Sequence, residues 1–516
     1  MDEVNNLAEM LASASLRYPH KTALVFGSKK ITYSRLQSIS LKLASGLYGL
    51  GVRKNDKVAV WLANCPEFVY SFFATVKLGA TVVPVNNMLK REEAKFIIED
   101  SGAKILISSV DKITDSENIL SRLESLKNII SVPTAENNIL SLNFYSLIND
   151  IGEFKEDTAI AQDDLAEIIY TSGTTGKPKG ACLSHKNILS NVKDCAGLIN
   201  LTSRDSTICI LPLFHSFAST VCMLMPIYKG AKIVIMRAVK PFKRVIRAIF
   251  KHRVTILVGV PSLFNILSEV KLPFLSRLLN LLFNPVRLCI SGAAALPFEV
   301  WYKFEKKFKR PLIQGYGLTE ASPVVSLNPL KGKRKPESVG LALASDEIRI
   351  ADINGKDLGI DCIGELLVKG PNVMAGYYKL EEENKKTLEN GWLHTGDLAK
   401  IDHEGFIYIM GRIKEMINVR GLNVYPREIE DLLYKYPGIK EAAVVGIEHR
   451  HRGEAPVAFI VKSADLKERD IIKYLRENLA PYKVPLKVIF KDSLPKNTTG
   501  KILKRELQAE IENLFR

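Results

Sequence analysis

A disulfide framework is the first thing missing from this sequence. Its seven cysteines stand apart at 65, 182, 195, 209, 222, 289 and 362, with no C-x-x-C pair among them. An odd, unclustered set excludes a disulfide scaffold and a cysteine zinc site, and a reducing cytoplasm becomes the expected compartment. A secretory leader is not expected either: "MDEVNNLAEMLASAS" is acidic where a leader is basic, and no apolar core follows. There is no tandem repeat, no low-complexity linker and no recognisable nucleic-acid recognition module. Charge is missing from one long stretch, Ser206 to Tyr228, "STICILPLFHSFASTVCMLMPIY". It is long enough to span a bilayer, for which about 20 residues suffice. Pro212, Pro226, His215 and several hydroxyl residues argue instead for a buried strand–loop–helix.

What is present is a chain of 516 residues with 47% apolar and 25% charged side chains, ordinary values for a globular protein. The length predicts roughly three or four domain-sized units. The formal net charge is +16, carried by blocks such as "KPFKRVIRAIFKHR", "KKFKR" and "KGKRK". These read first as solvated surface; the sharper alternatives are capture of polyanionic small molecules or peripheral contact with an anionic membrane. Nucleic acid is not an expected partner.

Over the first ~400 residues, β-rich runs alternate with helical ones. "KVAVWLA", "TVVPV", "TILVGV", "VRLCISG" and "PLIQGYG" read as strands, and "SRLQSISLKLASGLYGLG" as a helix ending at glycine. That alternation predicts α/β layers around largely parallel sheets. After Arg412 a compact α+β unit of about 100 residues is expected, joined by a short hinge near Ile413–Lys414.

"YTSGTTGKPKG" (Tyr170–Gly180) looks like a phosphate cradle. A Walker A loop places four residues between its glycines and a hydroxyl after its lysine. Here two residues separate Gly173 from Gly176, and Pro178 follows Lys177, so that reading fails. The loop still suits an anion: Thr171, Ser172, Thr174 and Thr175 offer hydroxyls, the glycines allow close backbone approach, and Lys177 and Lys179 add charge. A surface turn is the commoner meaning of such composition, and the loop alone decides nothing.

Six further stretches follow in order: "LPLFHSFA", "GYGLTE", "GELLVKGPNVMAGYY", "GWLHTGDL", "GRIKEMINVRGLNVYPREIE" and "PKNTTGKILKREL". With the opening loop they closely resemble the adenylate-forming superfamily of acyl-CoA synthetases, adenylation domains and luciferases. "NVRGLNVYPREIE" looks most like fatty-acyl-CoA ligases. The resemblance covers essentially the whole chain. It implies a large N-terminal domain, residues 1–411, of two α/β sheets plus a smaller β subdomain. A small mobile α+β domain, 412–516, would follow, with its hinge near 412–414. It implies ATP-dependent activation of a carboxylic acid to acyl-AMP with loss of pyrophosphate, then transfer to the thiol of coenzyme A, or to an acyl carrier protein. ATP, Mg²⁺ and coenzyme A are the implied cofactors and co-substrates. Such chemistry joins two anions and asks for positioning and electrostatic stabilisation rather than a protein nucleophile.

Residue by residue, the resemblance gives Lys501 as the adenylation lysine bridging carboxylate and α-phosphate. Asp397 would accept from the ribose hydroxyls, and Arg412 would add a cation beside ribose and phosphate. Thr171 through Lys177 would hold the phosphates, with Thr171 and Glu320 as the metal contacts. Tyr316 would stack on adenine, with Gly292, Ala293, Gln314, Gly315, Gly317 and Thr319 around it. His215 and Gly421 would line the passage for the thiol, and Lys414 would be the hinge. Amino-acid-activating relatives carry an Asp near Phe214-His215-Ser216-Phe217, and none stands here. Acetate-specific relatives place a bulky aromatic where Gly315 stands. An apolar wall of Phe217, Ala218, Ala294, Gly315, Val324 and Val325 is therefore expected around a medium- or long-chain fatty acid, with other aryl or alkyl acids as the alternative. A phosphotransferase is the rival enzyme class and predicts ADP instead of AMP. A non-catalytic scaffold on membranes is the third class, motivated by the basic blocks.

Overall fold

The computed structural model describes residues 4–133, 142–171, 177–270, 284–450, 452–497 and 500–515. Two α/β sheets dominate. An eight-stranded sheet has the parallel strands Lys57–Trp61, Thr81–Pro84, Ile105–Ser109 and Asn128–Val132 at its heart. Strand Leu165–Thr171 joins it in parallel beside Thr81–Pro84, and Lys179–Ser184 then pairs back antiparallel. Residues 172–176 of the glycine-rich stretch lie between these two strands, outside the described residues.

The second sheet has nine strands. Ser206–Cys209, Ile256–Gly259, Leu288–Ser291 and Leu312–Gly317 run parallel, and Val324–Leu327 then turns antiparallel. The strands expected at "KVAVWLA", "TVVPV", "TILVGV", "VRLCISG" and "PLIQGYG" are all present. Their centres are mostly apolar because the faces of these parallel sheets are covered, with Gln314 a polar residue buried within Leu312–Gly317. The helix expected from Ser34 spans Tyr33–Gly49, with the Thr32 side chain accepting from the Arg35 N–H at its start.

The uncharged stretch from Ser206 is a strand, a loop and a helix. After strand Ser206–Cys209 the chain turns through Ser216–Ala218 into a π-helical segment, Ser219–Leu224, and then helix Met225–Lys229. The Met225 N–H reaches the Thr220 carbonyl, five residues back. Pro226 follows directly, a residue with no N–H to give to a regular helix. No described helix is long and apolar enough to cross a membrane.

A third, antiparallel sheet contains Glu347–Ala351, Gly364–Lys369, Trp392–Ile401 and Ile407–Arg412. After it comes the smaller C-terminal unit. Its long strand Ile439–His449, at one end of the sheet beside Gly453–Lys462, is buried on both faces: Ala442 and Val444 pack with Ile429, Leu433 and Leu475, whereas Ala443, Val445 and Ile447 pack with Leu507 and Ile511. That double burial explains the unbroken apolar run "EAAVVGI". All seven cysteines are free, and only Cys362 is exposed.

Candidate active site

A cavity of about 1170 Å³ opens where the ends of the two large sheets, the third sheet and the C-terminal unit meet. Drug-sized pockets hold roughly 300–1,000 Å³, so there is room for more than one reactant. The cavity brings together Thr171, Lys177, His215, Phe217, Gly292, Ala293, Gly315, Tyr316, Gly317, Thr319, Glu320, Val324, Asp397, Arg412, Lys414 and Lys501. Gln314 and Ala294 line a second cavity of about 290 Å³ that shares Tyr316, Asp397, Arg412 and Lys501 with the first. Ala218 and Val325 are buried and line neither cavity. Gly421 is exposed, at the turn between Ile417–Val419 and Leu422–Val424, and also lines neither.

Asp397 is the electrostatic anchor. It lies on Trp392–Ile401 directly opposite Arg412 on the neighbouring strand, a cross-strand register that brings side chains together. Its Oδ2 accepts from the Tyr316 hydroxyl at 2.6 Å, and its Oδ1 lies 3.3 Å from Arg412 Nε. Burial and the adjoining carboxylate hold the Tyr316 phenol far above its ordinary range. The turn before Asp397 is built by two residues whose roles were not read from the sequence. Glu365 accepts from the Gly396 N–H and pairs with His394 Nδ1, each at 2.9 Å. Gly396 sits at φ +69, a backbone conformation that glycine adopts freely.

Lys501 reaches the same place from the C-terminal unit. Its backbone is pinned to Asn497, whose side chain accepts from the Lys501 N–H at 2.9 Å. Burial, and then the neighbouring Arg412, lower the pKa of its amine, against the opposing pull of Asp397 and Glu415. Lys504, one turn on, binds Glu430 at 2.8 Å and Glu415 at 3.2 Å. These contacts tie the lysine-bearing tail to the helix Pro426–Lys435 and to the turn at Ile413–Glu415.

Glu320 sits in a single turn, Thr319–Ala321, and accepts from the Tyr377 hydroxyl at 2.7 Å. Lys179 pairs with Glu383 and lies over the Tyr377 ring. Thr171 and Glu320 line the same cavity, and among the described residues no cluster of three or more His, Cys, Asp or Glu could hold a metal. One carboxylate and one hydroxyl suit an ion that keeps most of its waters and arrives on phosphate oxygens, which is how Mg²⁺ binds.

The opposite end is apolar. Cys195, Ile199, Val221, Met225, Ile290 and Leu327 line it, and the π-helical segment supplies Val221. Phe217 lies against Gly292, where an added Cβ would stand 2.7 Å from the ring. At Gly315 the direction of a side chain is already filled by the Ser326 carbonyl and Leu327, each 2.9 Å from an added Cβ. This glycine therefore keeps two strands close as well as leaving the wall free of an aromatic ring. His215 caps the short turn Ser216–Ala218, its Nδ1 accepting from the Phe217 N–H at 3.3 Å. Burial pushes its pKa down to about 4, so the ring is neutral at neutral pH with its proton on Nε2.

Comparison with known proteins now bears on this geometry. Residues 11–378 match the model of the AMP-binding enzyme family and residues 428–501 that of the AMP-binding enzyme C-terminal domain. The chain belongs to the AMP-binding enzyme family. A long-chain-fatty-acid–CoA ligase of Bacillus subtilis is 34% identical to this AMP-binding enzyme over 98% of the chain and 95% of the relative. The crystal structure of ATP-bound MatB from Rhodopseudomonas palustris superposes with a TM-score of 0.91 at 30% identity, covering 99% of this chain and 100% of that one. That of the anthranilate CoA ligase AuaEII in complex with anthranoyl-AMP gives 0.92 at 28%, covering 99% and 98%. The α/β architecture with a smaller C-terminal domain is thus that of adenylate-forming enzymes. The chain stands among their acid–CoA ligases, which use ATP, Mg²⁺ and coenzyme A.

Proposed function

We propose that this AMP-binding enzyme activates a medium- or long-chain fatty acid to acyl-AMP and passes the acyl group to coenzyme A. The observation that carries the reading is one cavity with two unlike ends. Lys501, Arg412, Asp397 and Glu320 gather at one end, and an apolar wall from Phe217 to Cys195 and Met225 lines the other. Burial of a chain against that wall stabilises by about 0.8 kcal/mol per CH₂, so preference grades with length. The similarity to a long-chain-fatty-acid–CoA ligase supports the same reading.

In this mechanism Asp397 and Arg412 fix the ribose and its phosphate. Thr171 and Glu320 would hold Mg²⁺, which when bound would offset phosphate charge. The Lys501 ammonium lies between the carboxylate and the α-phosphate, reducing their repulsion as the carboxylate oxygen attacks phosphorus and pyrophosphate departs. The neutral His215 ring borders the acyl end without adding charge. Rotation of residues 412–516 about Lys414 then withdraws Lys501 and brings the Gly421 turn to the thiol passage.

The test is nucleotide chromatography with a panel of carboxylic acids, with and without coenzyme A. Fatty acids should give AMP, with kcat/KM rising smoothly with chain length, and acyl-CoA when coenzyme A is present. Faster turnover of an aryl acid such as anthranilate than of any fatty acid would overturn the substrate. ADP as the product would overturn the adenylate.

A further inference from the structure

From Ser206 to Ser268 the sequence holds nine lysines and arginines and no acidic residue. Nine of the sixteen net positive charges of the whole chain thus come from this one stretch, and five of the nine fall between Lys243 and Arg253. Lys243, Arg244, Arg247 and Lys251 lie on helix Phe242–Lys251, which turns Val245, Ala248 and Ile249 into the core. All four are exposed, as is Arg253 just beyond the helix. Among the described residues none of the five forms an ion pair.

Their arrangement is specific. Lys243, Arg247 and Lys251 follow one another at intervals of four residues, forming one stripe along the helix. Ile246 and Phe250, also four apart, form the adjacent stripe and are 40% and 45% exposed. The helix connects the parallel strands Lys232–Ile235 and Ile256–Gly259. Two further parallel connections continue in the same direction across the sheet. Because such crossovers are right-handed, their helices share one face. Those helices, Pro261–Glu269 and Phe298–Phe308, expose Ile266 and Tyr302. Their own charges are partly matched, as in Lys303 with Glu269 at 2.9 Å.

We propose that this face, centred on helix Phe242–Lys251, docks the enzyme on an anionic lipid bilayer. A stripe of unpaired cations beside a stripe of exposed large apolar side chains is satisfied together at a headgroup boundary, where phosphates meet acyl chains. A nucleic-acid backbone would use the cations and leave Ile246 and Phe250 in water, so the lipid surface is favoured. None of Lys243, Arg247, Lys251, Ile246 and Phe250 lines either cavity, and the proposal holds whichever acid is activated.

The test is co-sedimentation of the full chain with vesicles of phosphatidylcholine alone and of phosphatidylcholine mixed with phosphatidylglycerol. Binding should require phosphatidylglycerol and weaken with added salt. Each cation near an anionic surface contributes about fivefold, so K243Q/R247Q/K251Q should weaken binding by about a hundredfold. I246S/F250S should weaken it by about tenfold while leaving its salt dependence in place. Both variants should keep wild-type ATP–pyrophosphate exchange with a water-soluble short-chain acid, which shows that they fold. Equal binding to both vesicle types, or binding unchanged in the triple variant, would overturn the proposal. So would an RNA oligonucleotide that displaces the vesicles and loses affinity only in the charge variant, or self-association without lipid that both variants abolish.

Discussion

Replacing Lys501 by alanine isolates the electrostatic part of the reaction. The ammonium enters a buried group of charges in which Arg412 and Lys504 oppose it and Asp397 and Glu415 favour it. At about 4 Å from a phosphate oxygen, and with an effective dielectric near 20, one cation contributes roughly 4 kcal/mol. Part of that attraction is already present in the ground state, so adenylation should slow by between ~10² and ~10³ at ~1.4 kcal/mol per tenfold. The fold should survive, because no buried acid is orphaned: Asp397 keeps Tyr316 and Arg412, and Glu415 keeps Lys504. ATP–pyrophosphate exchange should therefore collapse, while thioester formation from supplied acyl-AMP persists. The lowered pKa also sets the pH behaviour of the wild type. Deprotonation of this amine costs adenylation activity, so the alkaline limb of exchange should begin below pH 10.5, the ordinary lysine value, and vanish in Lys501→Ala. Exchange within tenfold of wild type in that variant would refute the electrostatic role.

Asp397→Asn keeps the shape of the site but leaves Arg412 and Lys501 without their shared counter-charge; a charged hydrogen bond of about 1.5–3 kcal/mol predicts a ~10- to 100-fold fall in kcat/KM for ATP, read by steady-state kinetics. Gly292→Ala should drive the Phe217 ring into the cavity and depress kcat/KM for long acids more than for short ones, and Phe217→Ala in the same chain should restore the long ones. Lys414→Pro should spare pyrophosphate exchange and block thioester formation if the small domain rotates there; equal loss of both would count against rotation. Glu167 is fully buried, its Oε1 has no hydrogen-bond partner among the described residues, and burial raises its pKa to about 8. The folded state then holds a proton that the unfolded chain releases near pH 4.5, so stability falls as pH rises between these values. Glu167→Gln should flatten that slope, by a few kcal/mol at pH 8.5, seen as a higher denaturant midpoint than wild type there.

The parts of this protein that could be read from its sequence are those where one local pattern suffices. Apolar runs between glycines gave strands because both faces of each sheet are covered, and the stretch at Ser206 read as a broken element because Pro226 forbids a regular helix. Short motifs that carry their own chemistry pointed to Lys501 in "GKILKREL" and Asp397 in "HTGDL", and the fold brings these two residues into one cavity. What stayed hidden depends on two distant segments meeting. Glu365 and His394 lie inside quoted motifs, yet their work is to shape each other across 29 positions of sequence, and nothing in either motif alone reveals a partner. Tyr377 reaches Glu320 over 57 positions in the same way. Gly315 has a second role that sequence alone does not reveal: besides leaving the wall free of an aromatic ring, it lets the Ser326 carbonyl and Leu327 fill the direction a side chain would take. Pocket size at this position is therefore set by how closely Leu312–Gly317 and Val324–Leu327 approach one another. A larger residue at 315 would first have to part those strands, and since Tyr316 lies on one of them, acyl selectivity and nucleotide placement should change together.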